Sequence, residues 1–344
     1  MIHRRQPVAG GGPAVHPGEA ALHVAYERDD GREAALATAA AGDVLAVVRF
    51  GEELPAGGEA RLIPVPLRQV GDVPVQEVWR SGRPVAPSRH GDIRYASSGG
   101  ILFGHIFREE GQGASLEDLT TDLYRTVFTG VRDLGHPYVW RMWNVFGDIN
   151  GREQGLERYQ AFCRGRHRAL APILPDFERR LPAASAIGGR LPGLAVSFLA
   201  GAEPAEQVEN PRQVSAFRYP RRYGPKSPSF SRAVLRRWGA GGFHLYVSGT
   251  ASIVGDESRH VGDFDGQLAE ALDNFEALLA AAAERAGTRL RPALLRFYLR
   301  DPGRAESVRA VAARRFGPVP VLLLQGEICR TDLLLEVEGI ALRA

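Results

Sequence analysis

The sequence predicts an α/β protein made of two tandem units. Three observations carry this expectation. The chain has 344 residues, the length of one large domain or of two of about 150–170 residues each. Hydrophobic residues make up 44% and charged residues 24%, enough apolar content for a packed core and too much for wholesale disorder. The order strand, helix, strand, helix, two strands is legible twice, at an offset of roughly 150 residues, which makes each copy the size of a domain.

Residues 1–20, rich in Gly and Pro, read as a loose lead-in, and the two units are expected over 21–203 and 204–344. Strand candidates stand at Asp43–Phe50, Ala60–Pro66 and Val73–Trp79, followed by a longer one at Ile93–Phe107. A helix is predicted over Ser115–Leu134. Ser115 is its N-cap, Glu117 and Asp118 complement the dipole in the first turn, and Gly135 and Pro137 end it. The apolar strand Tyr138–Phe146, a helix from about Gly155 to Leu170, and short strands at Ala183–Arg190 and Leu194–Ala200 close the first unit. The second unit repeats that order. It has a strand at Gly242–Val254, a helix at Asp265–Ala286, a strand at Leu294–Leu299 and a helix at Ala305–Phe316. Strands at Val319–Cys329 and Asp332–Leu342 finish it, and Pro182 and Pro318 each stand just before a closing pair.

Composition removes several function classes. Lys226 is the only lysine, 43 basic residues face 40 acidic ones, and no long basic helix or block is present, so no nucleic-acid surface is expected. No run of 18 apolar residues occurs, so no membrane-spanning helix is expected. Cys163 and Cys329 cannot make a disulfide framework, and no apolar stretch follows Arg4 and Arg5, which together predict a cytoplasmic protein. There is no HExxH, paired CxxC, GK[ST] or GxSxG motif, and the histidines lack metal-ligand spacing. Gly99–Gly100 and Gly239–Gly242 lack the strand–GxGxxG–helix context. No metal and no cofactor are expected.

What remains is acid–base chemistry and anion binding. On the last strand, alternation puts Asp332, Leu334, Glu336, Glu338 and Ile340 on one face. These carboxylates either face solvent, or one is buried, its pKa raised, and able to deliver a proton near neutral pH. On the second helix, Tyr159, Cys163 and Arg166 share one face by their i, i+4, i+7 spacing. That face suits a polar pocket, or else the arginine snorkels past core neighbours; Cys163, without a histidine partner, reads as packing. In Asn210–Arg232 six cationic residues (Arg212, Arg218, Arg221, Arg222, Lys226 and Arg232) interleave with Tyr219 and Tyr223. Four prolines make this segment an extended loop. It is either a solvated basic loop or a clamp for a small dicarboxylate.

Four stretches taken in order, Arg141–Asn150 (RMWNVFGDIN), Gly155–Arg166 (GLERYQAFCRGR), Asn210–Arg232 and Ser248–Asp263 (SGTASIVGDESRHVGD), resemble the chorismatase family. The closing LEVEGIA resembles the YjgF/RidA fold, with Glu336 at the position of that fold's site glutamate. The resemblance implies two RidA-like units in tandem, each a mixed sheet packed by two helices, the second one catalytic. It implies chorismate as substrate, a small dianion with an enolpyruvyl ether on a cyclohexadiene ring. Glu336 is then the acid that protonates the enolpyruvyl methylene, and Tyr159, Arg166, Tyr219 and Arg232 hold the carboxylates and ring. The family divides by product. One branch adds water and gives a dihydrodiol acid, while in the other the ring hydroxyl traps the cation and the ring aromatises to 3-hydroxybenzoate. Gly242 and Cys329 match the glycine and cysteine of the aromatising branch, so 3-hydroxybenzoate and pyruvate are the expected products. A hydrolytic chorismatase, or a RidA-like imine deaminase or binding module, are the alternatives. Monomer and homo-oligomer both remain open.

Overall fold

Three β-sheets, each carrying its helices on the outer side, pack around one shared core in a computed structural model of the chain. It describes residues 22–344 apart from 52–57, 112, 114, 175, 240 and 241. The expected lead-in therefore lies outside the described residues.

The first sheet is built from β1 (His23–Arg28), α1 (Arg32–Ala40), β2 (Val44–Phe50), β3 (Leu62–Val65) and β4 (Val75–Arg80). The second comprises β5 (Ala86–His90), β6 (Ile93–Ser98), β7 (Ile101–Arg108), α2 (Leu116–Asp133) and β8 (Tyr138–Gly147). It continues through the small hairpin β9 (Arg152–Glu153) and β10 (Leu156–Glu157), then α3 (Arg158–Leu170), β11 (Ala183–Gly189) and β12 (Leu194–Gly201). The third has β13 (Glu206–Val208), β14 (Ala233–Arg237), β15 (Phe243–Thr250), the hairpin β16 (Ile253–Val254) and β17 (Glu257–Ser258), and α4 (Phe264–Ala286). It ends with β18 (Leu290–Leu299), α5 (Ala305–Phe316), β19 (Val321–Gln325) and β20 (Leu335–Arg343).

The tandem repeat is visible in the strand order. Read from one edge, the second sheet runs β5-β6-β7-β12-β8-β11 and the third β13-β14-β15-β20-β18-β19. Chain order and spatial order match strand for strand, and in both the last pair is the parallel one. The first sheet, β1-β4-β2-β3, reproduces the last four strands of that order, again with its last pair parallel. It is a third, shorter copy that the two-unit reading folded into residues 21–203.

Several elements differ from expectation for local reasons. The long strand expected at Ile93–Phe107 is two strands, because Gly99 and Gly100 take positive φ (55° and 83°) and turn the chain back. The closing strands are not paired with each other. A helix connection sends β11 and β19 to the parallel edge, and β12 and β20 insert between the earlier strands. The strand expected to reach Cys329 ends at Gln325, leaving Cys329 in the following turn. The second helix starts at Arg158 because the β9–β10 hairpin takes the preceding residues. Ser115 does cap α2, accepting from Asp118 N at 3.1 Å.

Burial explains why the three sheets stay together. Helices α2 and α3 cover the outer face of the second sheet, α4 and α5 that of the third, and α1 that of the first. The inner faces meet in a separate apolar cluster drawn from all three sheets and from no helix. Trp79 of β4 stands 6.2 Å from Trp143 of β8 and 6.4 Å from Tyr246 of β15, one aromatic from each sheet. Charge is buried there too. Arg296 of β18 bonds Glu77 of β4 at 2.6 Å and Glu338 of β20 at 3.0 Å, and Arg141 of β8 bonds Glu338 at 2.5 Å. Each of these charges has partners, the condition under which such groups are tolerated inside a core.

Candidate active site

The second and third units leave a cavity of about 320 Å³ between them. The volume lies in the range that small-molecule sites occupy. Helix α3 supplies Tyr159 and Arg166, β11 supplies Ser185, and the loop before β14 supplies Tyr219 and Arg232. Strand β15 and the residues just after it bring Gly249 and Ala251, the turn before β20 brings Cys329 to Asp332, and β20 brings Glu336. The site thus belongs to the junction of two units and not to the C-terminal one alone.

Hydrogen bonds stitch that junction. Ala184 N donates to Ser248 Oγ at 2.8 Å, Ser248 Oγ donates to Ser231 O at 2.6 Å, and Ser231 N donates to Pro182 O at 3.0 Å. The turn that holds Cys329 is fixed by Arg300, which donates to Ile328 O, Arg330 O and Leu333 O at 3.1, 3.0 and 2.6 Å. Asn150 donates to the same Ile328 carbonyl at 3.0 Å, so the second unit helps to shape a turn of the third.

Glu336 is 5% exposed and lines the cavity. Burial, aided by the negative charge of Glu338, pushes its carboxyl up to about 8, with Arg141 and Arg232 opposing. It is therefore a protonated acid near neutral pH. Room for it depends on Gly249, where a Cβ would overlap Glu336 Oε1. Glu338, two residues on, is its opposite. Burial penalises its charge most, but Arg141, Arg296, Ser185 and Trp143 together outweigh that and hold its carboxyl below the usual range.

The cationic side is equally built. Arg166 is 2% exposed, yet its Nε and Nη2 are buried without a hydrogen-bond partner, and its guanidinium lies 5.1 Å from the Tyr124 ring centroid. Arg232 is 4% exposed and donates from Nη2 to Tyr219 Oη at 2.7 Å and Val214 O at 2.9 Å, while its Nε has no partner. Buried donors left unpaired by the protein cost free energy, and a bound anion removes that cost. Snorkelling, the bland alternative for Arg166, is excluded by its burial.

The structure brings together Glu336, Tyr159, Arg166, Tyr219, Arg232 and Cys329, and leaves out Gly242. Gly242 sits at the β14–β15 turn, donating to Gly239 O and accepting from Trp238 N at 2.8 Å, outside the residues that line the cavity. The glycine that meets the acid is Gly249, where the need is for space. Cys329 lies in the wall, its thiol pushed up to about 12 by burial and then by Glu336, so it stays protonated. Cys163 is buried at 3% behind the wall. Of the loop arginines, Arg212 bonds Asn274 and Glu270, and Arg218 pairs with Glu178, both away from the cavity. Arg222 lines it and pairs with Asp256 at 2.6 Å.

A family model described as Chorismatase FkbO/Hyg5-like, N-terminal, matches residues 77–200. A 3-hydroxybenzoate synthase of Streptomyces hygroscopicus is 38% identical over 286 residues, 78% of this chain and 82% of its own length. This chain belongs to the chorismatase family. A protein named chorismatase from the same organism is 37% identical over 76% of this chain and 78% of its own. A solved chorismatase superposes with a TM-score of 0.79 at 31% identity, covering 93% of this chain and 98% of its own.

Within this family member, sequence reading missed three parts of the site. Arg330 stacks 4.0 Å from the Tyr223 ring centroid and 5.3 Å from that of Tyr219, and donates to Asp256 O at 2.9 Å. Its only signal was adjacency to Cys329. Ser185 donates to Glu338 and accepts from Arg141 at 2.7 Å and from Gly249 N at 2.9 Å, a role invisible in an Ala-Ser-Ala strand. Arg141 lay inside a quoted motif, but nothing in its neighbours announced a buried partner almost two hundred positions away.

Proposed function

We propose that this cavity binds chorismate and cleaves it to 3-hydroxybenzoate and pyruvate, a lyase reaction that gains no water. One observation carries the reading: a protonated carboxyl, Glu336, faces a cavity in which Arg166 and Arg232 hold unpaired buried donors. Chorismate needs both features. Its two carboxylates call for guanidinium forks, and its enol ether calls for an acid that is still protonated near neutral pH. Glu336 delivers its proton to the enolpyruvyl methylene, which makes an oxocarbenium-like centre. The adjacent arginine charges and Tyr159 and Tyr219 hold the dianion in place while the ring hydroxyl reacts, and the ring then aromatises.

The aromatising outcome is supported by the 38%-identical relative named 3-hydroxybenzoate synthase and by Cys329, a small non-ionised group in the wall. The test is to incubate the purified protein with chorismate and separate the products by chromatography with mass detection, assaying pyruvate alongside. Pyruvate in equal amount with 3-hydroxybenzoate is expected. Pyruvate with a dihydrodiol acid would overturn the product assignment and keep the substrate. No pyruvate would overturn the activity, leaving a binding module.

A further inference from the structure

The buried polar atoms that the cavity leaves unpaired form a pattern. Among the described residues lining it they are Arg166 Nε and Nη2, Arg232 Nε and Asp332 Oδ1. Three are donors and one is an acceptor. The donors suit carboxylates. Asp332 Oδ1 asks for something else, because a carboxylate oxygen shielded from water and without a donor is costly.

The surroundings of Asp332 leave that oxygen unpaired while fixing the backbone. The residue stands in the turn before β20. Its carbonyl accepts from Gln267 Nε2 at 2.7 Å, and the same Gln267 accepts from Leu334 N at 2.8 Å. Arg300 bonds two further carbonyls of the turn, Arg330 O and Leu333 O. Gln267 is fully buried, so this clamp is rigid. A carboxylate placed in a cavity wall by a fixed backbone, with no partner of its own for that oxygen, is set up to meet a ligand.

The ligand chemistry follows from the functional reading above, on which this inference rests. Chorismate's carboxylates and ether oxygen only accept hydrogen bonds. Its ring hydroxyl is its one donor. We infer that Asp332 is a second catalytic carboxylate, which accepts the hydrogen bond of the substrate's ring hydroxyl and takes its proton as the hydroxyl oxygen attacks. The step balances. Glu336 gives its proton to the methylene. The O–H bond of the ring hydroxyl breaks, its oxygen bonds the carbon that protonation has made electrophilic, and the proton passes to Asp332. Two carbon–oxygen bonds then break as pyruvate leaves: the ring's bond to the former hydroxyl oxygen, which departs as the pyruvate carbonyl, and the bond between the central carbon and the ether oxygen, which stays on the ring. Aromatisation releases one ring C–H proton to the Glu336 carboxylate, and Asp332 returns its proton to the oxygen that becomes the phenol. Both carboxylates end as they began.

Asparagine and alanine substitutions separate the two duties. An asparagine side chain still accepts a hydrogen bond but cannot take a proton, so Asp332→Asn should bind chorismate within a few-fold of the parent and lose about 10²–10⁴-fold in kcat. Asp332→Ala should lose binding as well, by roughly tenfold or more. Binding is measured in the Glu336→Gln background, where substrate is not consumed, by calorimetry with chorismate and with an analogue whose ring hydroxyl is replaced by hydrogen. The Glu336→Gln protein should prefer chorismate over the analogue by at least about tenfold, and the Glu336→Gln/Asp332→Ala protein should not distinguish them. Turnover of Asp332→Asn at the parent rate, or equal binding of the two ligands by the Glu336→Gln protein, overturns the assignment. The ligand comparison on Glu336→Gln does not depend on whether an Asp332 variant folds. Absence of pyruvate from the unsubstituted protein would sink the functional reading separately, because hydroxyl discrimination is read from binding.

Discussion

Glu336 and Glu338 stand two residues apart on β20 and point to the same side of the strand, 5% and 3% exposed. Both lost their water on folding. Glu338 received four replacements: Arg141, Arg296, Trp143 and Ser185 all bond its carboxylate, and it remains ionised. Glu336 received an open cavity and the charge of its neighbour, and it holds its proton up to about pH 8. Strand, residue type and burial are shared, so the difference lies in the donors each meets. Two carboxyls driven apart in this way identify which can act as an acid. The anchored one is structural, and its charge helps to keep the other protonated.

The largest effect should come from removing the acid. Glu336→Gln keeps the shape of the cavity and its arginines, so chorismate should still bind while pyruvate release falls about 10²–10⁴-fold. Turnover near the parent rate would end the comparison, since Glu336 would then be one more buried carboxyl.

Glu338→Gln should act on the fold first. It strips the charge from between Arg141 and Arg296, and breaking a buried pair this way costs about 3–5 kcal/mol, visible as an earlier urea midpoint. It should act on pH dependence second. The groups facing Glu336 are Glu338, Arg141, Arg232, Tyr159 and Cys329. With the one fixed anion among them gone and both arginines left, the basic limb of kcat/KM, expected near pH 8 in the unsubstituted protein, should move to lower pH. A limb that stays in place would mean that burial alone sets the proton affinity of Glu336.

How much of this was readable in the chain follows from the range of the interactions. The repeat was legible because each unit writes its own periodicity and caps, as Ser115 does for α2. Glu336 was legible by strand alternation and motif, as were Tyr159 and Arg166, which one helix face fixes together. Gly242, assigned from the resemblance, lies in the β14–β15 turn and not among the residues that line the cavity, because a family position alone does not say which turn a residue falls in. The shorter first copy escaped because no helix stands between β2 and β3 among the described residues, so its rhythm differs from the other two. Ser185 and Arg141 escaped because their meaning comes from Glu338, which reaches them only when the two inner faces close on each other.

A stability profile sharpens the same comparison at smaller amplitude. A carboxyl whose folded pKa is raised, as that of Glu336 is from 4.5 to about 8, favours the folded state while it is protonated. That contribution is full below 4.5 and is lost as pH rises through about 8. The unsubstituted protein should therefore lose stability relative to Glu336→Gln across this window, by an amount on the order of a few kcal/mol. Parallel urea profiles of the two proteins from about pH 5 to about pH 9 would contradict the raised value.

Ser185→Ala should have the smallest effect and separates two sources of Glu338's charge. The hydroxyl donates to Glu338, and it accepts from Arg141 and from Gly249 N. Its loss leaves the Gly249 N–H without that acceptor behind Glu336, which should cost about 1–3 kcal/mol. Both arginines still flank Glu338, so it should stay ionised and the basic limb of kcat/KM should not move. A limb displaced as far as in Glu338→Gln would show that the serine, and not the arginine pair, keeps Glu338 charged. The protonation of the acid on the third unit would then depend on a hydroxyl contributed by the second.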